Sequence, residues 1–526
     1  MRRILYLLVF LLPFISCQKN LPGGVGNMPV IAPERAAAPF ANMFIDIGRP
    51  AKLYSTPDDW EFLMAMFCND LEGADALIAD TSYNWFTVCG EYSSRSSNYR
   101  NPRIRYSAPY NMIASVNTFL DGFGDDVTDS NSVNMMAQAH ALRAWSYMML
   151  ATAFQFNYQV AGDKPCIPIV TQEPVDYTNN PRATVKDVYA LILEDLNYAV
   201  WHLEGTPRTS KMYIDGNVAH GLRARAYLDM GEWQKAYDDA CKAAAGYTPA
   251  TMEEVSKPAF YDINEHNWIW GYDMTEKVAS QFRYATTSSW LRSFSGYSYA
   301  CACQCYCCIN KLLYDKIAAN DIRKQWWVDE NLHSTLLDGL KWPGFDDVAH
   351  ADDDETKLPY LPYTNVKFGC YTVGNESNNE DMPLMRVEEM LLIQAECKAH
   401  MGDNAGATAL LENFVNSNRM TSGTYSAADS GRNLLDEIWF QRRVELWGEG
   451  FGILDVKRLD KPLVRFHDDN GNMPAAFRFN LPHDDPWLLM RFPQSELDTN
   501  FAIVDNNGGH KPVTDENPYL RDGVTD

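Results

Sequence analysis

Residues 216–244 read GNVAHGLRARAYLDMGEWQKAYDDACKAA, and residues 382–416 read MPLMRVEEMLLIQAECKAHMGDNAGATALLENFVN. Each stretch is a helical pattern stopped by a glycine and resumed at once. Aligned on Gly231 and Gly402, Met230, Glu232 and Ala236 of the first correspond to Met401, Asp403 and Ala407 of the second. Glycine ends a helix without steric cost, the acid sits at the positive end of the next helix, and the alanine lets two helices approach closely.

The repeated helix–glycine–helix unit resembles a tetratricopeptide hairpin. Units of this kind bury their apolar faces only against neighbours, and three or more are needed for stability. Two copies are plain in the sequence, so further helical pairs near residues 60–80 and 133–158 are expected to complete the layer. Within SVNMMAQAHALRAWSYMMLATAFQF, Met136, His140, Arg143, Tyr147 and Leu150 follow the three-to-four spacing of one helical face. PRATVKDVYALILEDLNYAVWHL opens with Thr184 three residues before Asp187, an N-cap pattern, and continues apolar at Val188, Leu191, Ile192, Leu196 and Val200. A further helix is predicted near Trp60 to Leu71. Residues 250–380 show short apolar runs broken by Gly, Pro, Asn and Asp, without a helical period.

The predicted fold is therefore mainly α, a tetratricopeptide-like helical-hairpin scaffold with an irregular, loop-rich ligand-binding subdomain. The scaffold is assigned to roughly 41–250 and 383–460, and the loop-rich part mainly to 250–380 and 460–526. Residues 82–106, aromatic and polar, read as a loop. A chain of 526 residues exceeds what one compact core organises, so subdomains or an elongated layered body are expected.

The N-terminus, MRRILYLLVFLLPFISCQKN, carries two arginines, an apolar run from Ile4 to Ile15, the small Ser16 and then Cys17. The run is too short to span a bilayer and reads as a secretory signal over residues 1–16. Its end resembles a bacterial lipoprotein signal, with Phe14 where leucine is usual. The resemblance implies lipidation of Cys17; an ordinary signal peptide cut elsewhere is the alternative. Residues 17–40, rich in Pro, Gly, Asn and Ala, read as a tether. The net charge of −24 repels nucleic acid and anionic lipid headgroups, which excludes both as ligands. Fourteen Trp and 28 Tyr suit stacking on neutral ligands better than gripping phosphates.

Several blocks together resemble the SusD/RagB family of outer-membrane nutrient-binding lipoproteins of Bacteroidetes. They are AQAHALRAWSYMMLATAF (137–154), RATVKDVYALILEDLNYA (182–199), HGLRARAYLDMGEWQKAYDDA (220–240), LLYDKIAANDIRKQWW (312–327), PLMRVEEMLLIQAECKAHMGD (383–403), LDEIWFQRRVELWGEGFGILDVKRLDK (435–461) and RFPQSELDTN (491–500). The resemblance implies about four tetratricopeptide-like units, an outer-membrane location facing the cell exterior, and attachment to the membrane through the lipid alone. It also implies a partner, a SusC-like TonB-dependent barrel transporter, to which the protein hands an oligosaccharide or, in some members, peptides. Residues 80–110 and the cysteine tract contribute no block to this resemblance.

Carbohydrate binding needs flat rings to stack on sugar faces and planar polar groups for the hydroxyls. Two stretches supply that mixture. The first holds Tyr83, Asn84, Trp85 and Tyr92, with Arg95, Asn98 and Tyr99; the second holds Trp290, Arg292, Tyr297 and Tyr299. Trp85, Trp290 and Tyr297 lead these ligand-binding candidates, and burial inside a loop layer is the alternative for each ring. No phosphate loop, His-Glu-x-x-His or Gly-x-Ser-x-Gly occurs, so no catalytic residue is assigned and the protein is not expected to be an enzyme. In QRRVELWGEGFGILDVKR, Glu445 and Glu449 lie one turn apart within reach of Arg442, which predicts ion pairing that locks the helix and its exit turn. DDNGN at 468–472 fits a calcium loop only in part, because Gly471 stands fourth and no glutamate stands twelfth; calcium stays open and no other cofactor is expected.

CACQCYCC at 301–308 places Cys301, Cys303, Cys305 and Cys307 on one face of a strand. Residues i and i+2 of a strand are too far apart for a disulfide, and the single Cys-x-x-Cys knuckle, Cys305 to Cys308, has no second pair to complete a zinc cage. Packing is the favoured reading, ahead of a metal site or a disulfide.

Overall fold

The computed structural model describes residues 33–49, 56–59, 61–78, 84–123, 127–172, 174–280, 286–294, 300, 305–350, 359–468 and 471–526. The helices that carry the architecture are α1 (Pro33–Ile45), α2 (Glu61–Glu72), α3 (Asn84–Gly90), α4 (Arg100–Asp121), α5 (Ser130–Phe154), α6 (Val185–Leu203), α7 (Gly216–Met230) and α8 (Trp233–Ala244), followed by α9 (Thr287–Leu291), α10 (Val387–His400), α11 (Asn404–Asn418), α12 (Leu434–Glu445) and α13 (Gly452–Arg458). Among the described residues, four short strands, β1 (Ala76–Ile78), β2 (Trp268–Tyr272), β3 (Cys307–Ile309) and β4 (Met382–Arg386), form two antiparallel pairs, β1 with β3 and β2 with β4.

The fold is mainly α and tetratricopeptide-like, as the glycine-stopped hairpins predict. Consecutive helices pack side by side from α4 through α8, and α10 then packs on α8 and carries α11 and α12. Gly231 and Gly402 adopt φ of +74° and +84°, a region that glycine enters freely. Behind both glycines the chain closes alike: Glu232 N donates to Tyr227 O, and Asp403 N donates to Lys398 O. Ala236 and Ala407 are fully buried where the paired helices meet. Thr184 caps α6 in a reciprocal box, with Asp187 N donating to Thr184 Oγ1 and Thr184 N donating to Asp187 Oδ2.

The two successive hairpins share a polar clamp. On α5, His140 Nδ1 lies 2.6 Å from Asp195 Oδ1 of α6, and Arg143 Nε donates to Asp195 Oδ2 at 2.8 Å. On α7, His220 Nδ1 lies 2.7 Å from Asp239 Oδ1 of α8, and Arg223 Nε donates to Asp239 Oδ2 at 2.6 Å. The carboxylates are held below the usual range, because these hydrogen bonds outweigh the desolvation that burial imposes. The register of each helix pair is thus fixed by charge as well as by shape.

Two sequence expectations are corrected. Residues 33–40, read as part of a tether, lie in α1, where Phe40 and Phe44 one turn apart pack on Tyr213 at 5.6 and 4.9 Å. The stretch 82–106, read as a loop, contains α3 and the start of α4. Pro102 sits in the first turn of α4, where a missing N–H costs nothing, and burial of Ile104, Ala108 and Met112 sustains the helix despite Pro109. The helix expected near Trp60 to Leu71 forms as α2.

One apolar cluster runs from Ala36 to Val524 and joins residues of the helical hairpins to residues of the irregular stretches. A smaller cluster of Leu392, Ala395, Ala407, Leu411, Ala427 and Ile438 fills the space between α10, α11 and α12. Among the described residues no helix is long and apolar enough to cross a membrane.

Candidate functional site

In sequence the two aromatic stretches flank one end of a strand pair. Ile78, the last residue of β1, pairs with Cys307, the first of β3. The chain leaving Ile78 leads to Tyr83, Asn84 and α3, and the chain entering Cys307 comes from Tyr297, Tyr299 and CACQ. A second link is apolar: Phe86 of α3 meets Trp290 of α9 edge-on at 4.5 Å, and Phe67 of α2 meets Phe86 at 5.1 Å. Tyr83, Tyr297, Tyr299 and residues 301–304 lie outside the described residues, as do Cys17 and the side chain of Asn84.

Three of the proposed ligand contacts are interior, and the expectation for them is corrected. Trp290 is 1 % exposed, Arg292 and Tyr92 not at all, and a ring with no open face cannot stack on a sugar. Arg292 donates to the carbonyls of Gly369, Phe260 and Asp381, and burial holds its guanidinium below the usual range. It therefore staples three loop segments together beneath α9. The Tyr92 hydroxyl donates to Glu72 O at 2.6 Å, Arg95 lies 3.7 Å over its ring, and burial pushes the phenol up to about 12.

Trp85 is different. It is half-buried on α3, and the Arg100 guanidinium lies 5.0 Å from its ring centre. Arg100 Nη2 in turn donates to Asp58 Oδ1 at 2.8 Å. Burial raises the Asp58 carboxyl, with Arg100 opposing the shift. Beside this stack Asn98 is exposed and Tyr99 is 46 % exposed. A flat, half-buried ring and a cation polarising it lie on a partly exposed stretch, with the buried Asp58 carboxylate holding the cation from within; a ring and planar polar groups are the chemistry that a polyhydroxylated ligand requires. Arg100 and Asp58 escape sequence reasoning because their association with Trp85 is purely tertiary.

The carboxylates of the C-terminal block are placed otherwise. Glu445 is fully buried and accepts from Arg419 Nε and Nη2, each at 2.9 Å, from Arg386 Nη1 at 3.2 Å and from Arg323 Nη1 at 3.4 Å. Glu449 accepts from Arg386 Nε and Nη2, each at 2.8 Å, and from Lys367 Nζ at 2.7 Å. The block is structural, as its spacing suggests, but the local partnership with Arg442 is corrected: Arg442 binds Asp455 at 2.6 Å instead. Arg386 ends β4, Arg419 follows α11, and Arg323 and Lys367 lie in the irregular stretches, so this cluster ties both halves of the chain to α12. The surrounding cations hold the Glu445 and Glu449 carboxyls below their usual range against the pull of burial.

Cys305, Cys307 and Cys308 are buried thiols in or beside β3, and burial pushes Cys308 up to about 12. Cys307 and Cys308 belong to β3, Cys305 directly precedes it, and all three lie in the main apolar cluster. Of the partial calcium loop, Asp469 and Asn470 lie outside the described residues. Asn472 is engaged with β3 and its exit, donating to Ile309 O and accepting from Lys311 N.

Two family models match the chain. One, described as "Starch-binding associating with outer membrane", matches residues 52–228, and the other, the SusD family, matches residues 319–509. The chain belongs to the SusD/RagB family. The first match contains Asp58, Trp85 and Arg100; the second contains the whole Glu445 and Glu449 cluster; Trp290 and the cysteine tract fall between them. A SusD-like protein P2 of Formosa agariphila is 24% identical over 419 residues, covering 76% of this chain and 79% of that protein. A SusD-like carbohydrate binding protein from Bacteroides vulgatus superposes with a TM-score of 0.70 at 22% identity, covering 91% of this chain and 98% of the other. A SusD superfamily protein from Bacteroides thetaiotaomicron gives 0.71 at 19%, covering 91% and 100%. A laminarin binding SusD-like protein gives 0.64 at 18%, covering 90% and 99%. At these identities the superpositions establish the SusD fold, and the ligand has to be argued from the chain's own residues.

Proposed function

We propose that this chain is a cell-surface lipoprotein of the outer membrane that captures a neutral oligosaccharide and delivers it to a SusC-like TonB-dependent transporter. The observation that carries the reading is the half-buried Trp85 ring, backed by Arg100 and Asp58, on the helix whose Phe86 meets Trp290 of the second aromatic stretch. A sugar ring stacks on such a face through its C–H bonds and the exposed Asn98 takes hydroxyls, while Arg100, held by the buried Asp58, supports the ring. Tyr83, Tyr297 and Tyr299, which flank the same end of the β1–β3 sheet in sequence, are the further ligand contacts of this reading. Trp290 and Arg292 hold the surface from beneath.

Lipidation of Cys17 anchors the protein, because each buried methylene contributes about 0.8 kcal/mol and two or more acyl chains make the attachment stable. The family descriptions of starch binding and the laminarin binding of a structural relative support a glycan as ligand. Binding, with no chemical step, is the whole role, and the engaged carboxylates of the C-terminal block accord with that. The net charge of −24 favours one other ligand class, a basic peptide delivered to the same type of transporter.

Calorimetric titration with malto- and laminari-oligosaccharides and with lysine-rich peptides separates the two. Saturable heat with a glycan and none with the peptides is the expected result; peptide binding with no response to any glycan would sink the reading. Purification from native outer membranes in mild detergent is expected to retain a large TonB-dependent barrel, and recovery of the protein alone would count against delivery.

A further inference from the structure

Cys68 lies on α2 and Cys89 on α3, and their sulfurs are 3.5 Å apart in the interior. Among the described cysteines this is the pair that the fold brings into sulfur contact. The helices that carry them are clasped next to the thiols by the Phe67–Phe86 ring pair, so the approach is built into the packing. A disulfide bond is about 2.05 Å long, which leaves a closure of about 1.5 Å. Disulfides form and persist in the compartments outside the inner membrane.

We infer that Cys68 and Cys89 are joined by a disulfide in the exported protein, clipping α3 to α2. This rests on the export to the outer membrane proposed above. In the folded state the Cys89 thiol is held well above its usual range, by its hydrogen bond to Cys68 and then by burial, and it is a poor nucleophile. Oxidation therefore belongs to folding, before α3 docks. The Cys68 thiolate attacks the disulfide of an envelope dithiol–disulfide oxidant, forming a mixed disulfide and releasing one oxidant thiolate. The Cys89 thiolate then attacks Cys68 Sγ, closing the protein disulfide and releasing the second oxidant thiolate. Two protons leave the protein thiols, and the oxidant is reduced to its dithiol. The closed loop from Cys68 to Cys89 contains Tyr83, Asn84 and Trp85, so the bond restrains the segment that carries the candidate ligand ring.

The test uses full-length protein isolated from the outer membrane of its own cells, denatured in the presence of an alkylating agent, with and without prior reduction, and digested for mass spectrometry. A linked Cys68–Cys89 peptide pair, with alkylation of both residues only after reduction, is expected. Both thiols alkylated without reductant, or either one paired with a different cysteine, would overturn the inference. Thermal unfolding gives a second readout: reductant is expected to lower the midpoint of the wild type and to leave that of a Cys68→Ser, Cys89→Ser double variant unchanged, and equal responses would overturn it. The linkage is read independently of ligand. A linked pair in protein that binds no glycan leaves the disulfide standing and removes the functional reading, while free thiols in glycan-binding protein do the reverse.

Discussion

The cluster around Glu445 and the surface around Trp85 use the same residue types to opposite ends. At Glu445 each carboxylate oxygen is engaged by guanidinium groups, all at zero exposure, and the group joins elements distant in sequence. At Trp85 a half-buried ring and a partly exposed guanidinium rest on the buried Asp58 carboxylate, and the exposed Asn98 and Tyr99 directly precede Arg100 in the chain. Arginine and carboxylate content does not separate the structural cluster from the proposed binding surface in this chain; how far the cations are enclosed does, Arg386 and Arg419 being wholly buried and the Arg100 side chain 29 % exposed. Changes to the first region are accordingly expected to move stability, and changes to the second to move affinity.

The largest expected effect is that of Glu445→Ala. It leaves Arg419, Arg386 and Arg323 without their shared counter-charge in the interior, and breaking a buried ion pair from one side costs about 3–5 kcal/mol. Chemical denaturation should show that loss, and a variant as stable as wild type would remove the structural assignment. The same cluster sets an acid limit. The Glu445, Glu449 and Asp455 carboxyls are depressed in the folded state, so their contribution is complete above the unfolded values of 4.5 and 3.8 and is lost as pH falls through the lower folded ones. Unfolding midpoints measured from pH 7 to pH 3 should fall steeply below about pH 4.5 in the wild type. Glu445→Gln should flatten that fall, and an unaltered slope would show that other groups govern it.

Next in size is Trp85→Ala, expected to weaken glycan binding about tenfold or more, equivalent to about 1.4 kcal/mol, in protein that still folds cooperatively. Thr184→Ala is the converse control on the scaffold: loss of the N-cap should cost about 1 kcal/mol of stability by denaturation and leave affinity alone. The smallest effect belongs to Arg100→Ala. Cation–π contacts at partly exposed sites contribute about 0.5–1 kcal/mol, so a two- to fivefold loss of affinity in titration is expected. A loss as large as that of Trp85→Ala would make Arg100 a direct ligand contact instead of a support for the ring.

The helical scaffold is legible in the sequence because its signals are local. A glycine stop, a capping threonine and a three-to-four apolar period each act within a turn or two, and Gly231, Gly402 and Thr184 behave as their neighbours dictate. One further local signal was open to reading: Ala139-His140 and Ala219-His220 each begin an Ala-His-x-Leu-Arg-Ala run, and both runs supply the histidine and arginine that clamp an aspartate on the next helix. The stretch 82–106 misleads because its aromatic and polar composition reads as loop, while burial against α2 and α5 decides its structure. The candidate site is legible only in outline. An aromatic residue in irregular sequence looks the same whether it faces water or the core, and Trp85 and Trp290 differ only in what folds over them. Asp58, Trp85 and Arg100 come from separate segments, and nothing in the sequence announces that they meet. The partners of Glu445 are hidden for the same reason: the nearby Arg442 is the obvious choice, but the chain fold presents three distant arginines.

The most direct test of the division between a charge-locked interior and an open binding face is a paired measurement on Trp85→Ala. Its affinity for the oligosaccharide that wild type binds best is measured by calorimetry, and its unfolding midpoint is measured in the same buffer. The account predicts at least a tenfold loss of affinity in protein that remains fully folded at the titration temperature, its midpoint lowered only by the loss of the ring's packing on the apolar cluster. Undiminished affinity, or a loss of binding that merely accompanies a collapse in stability, would contradict it.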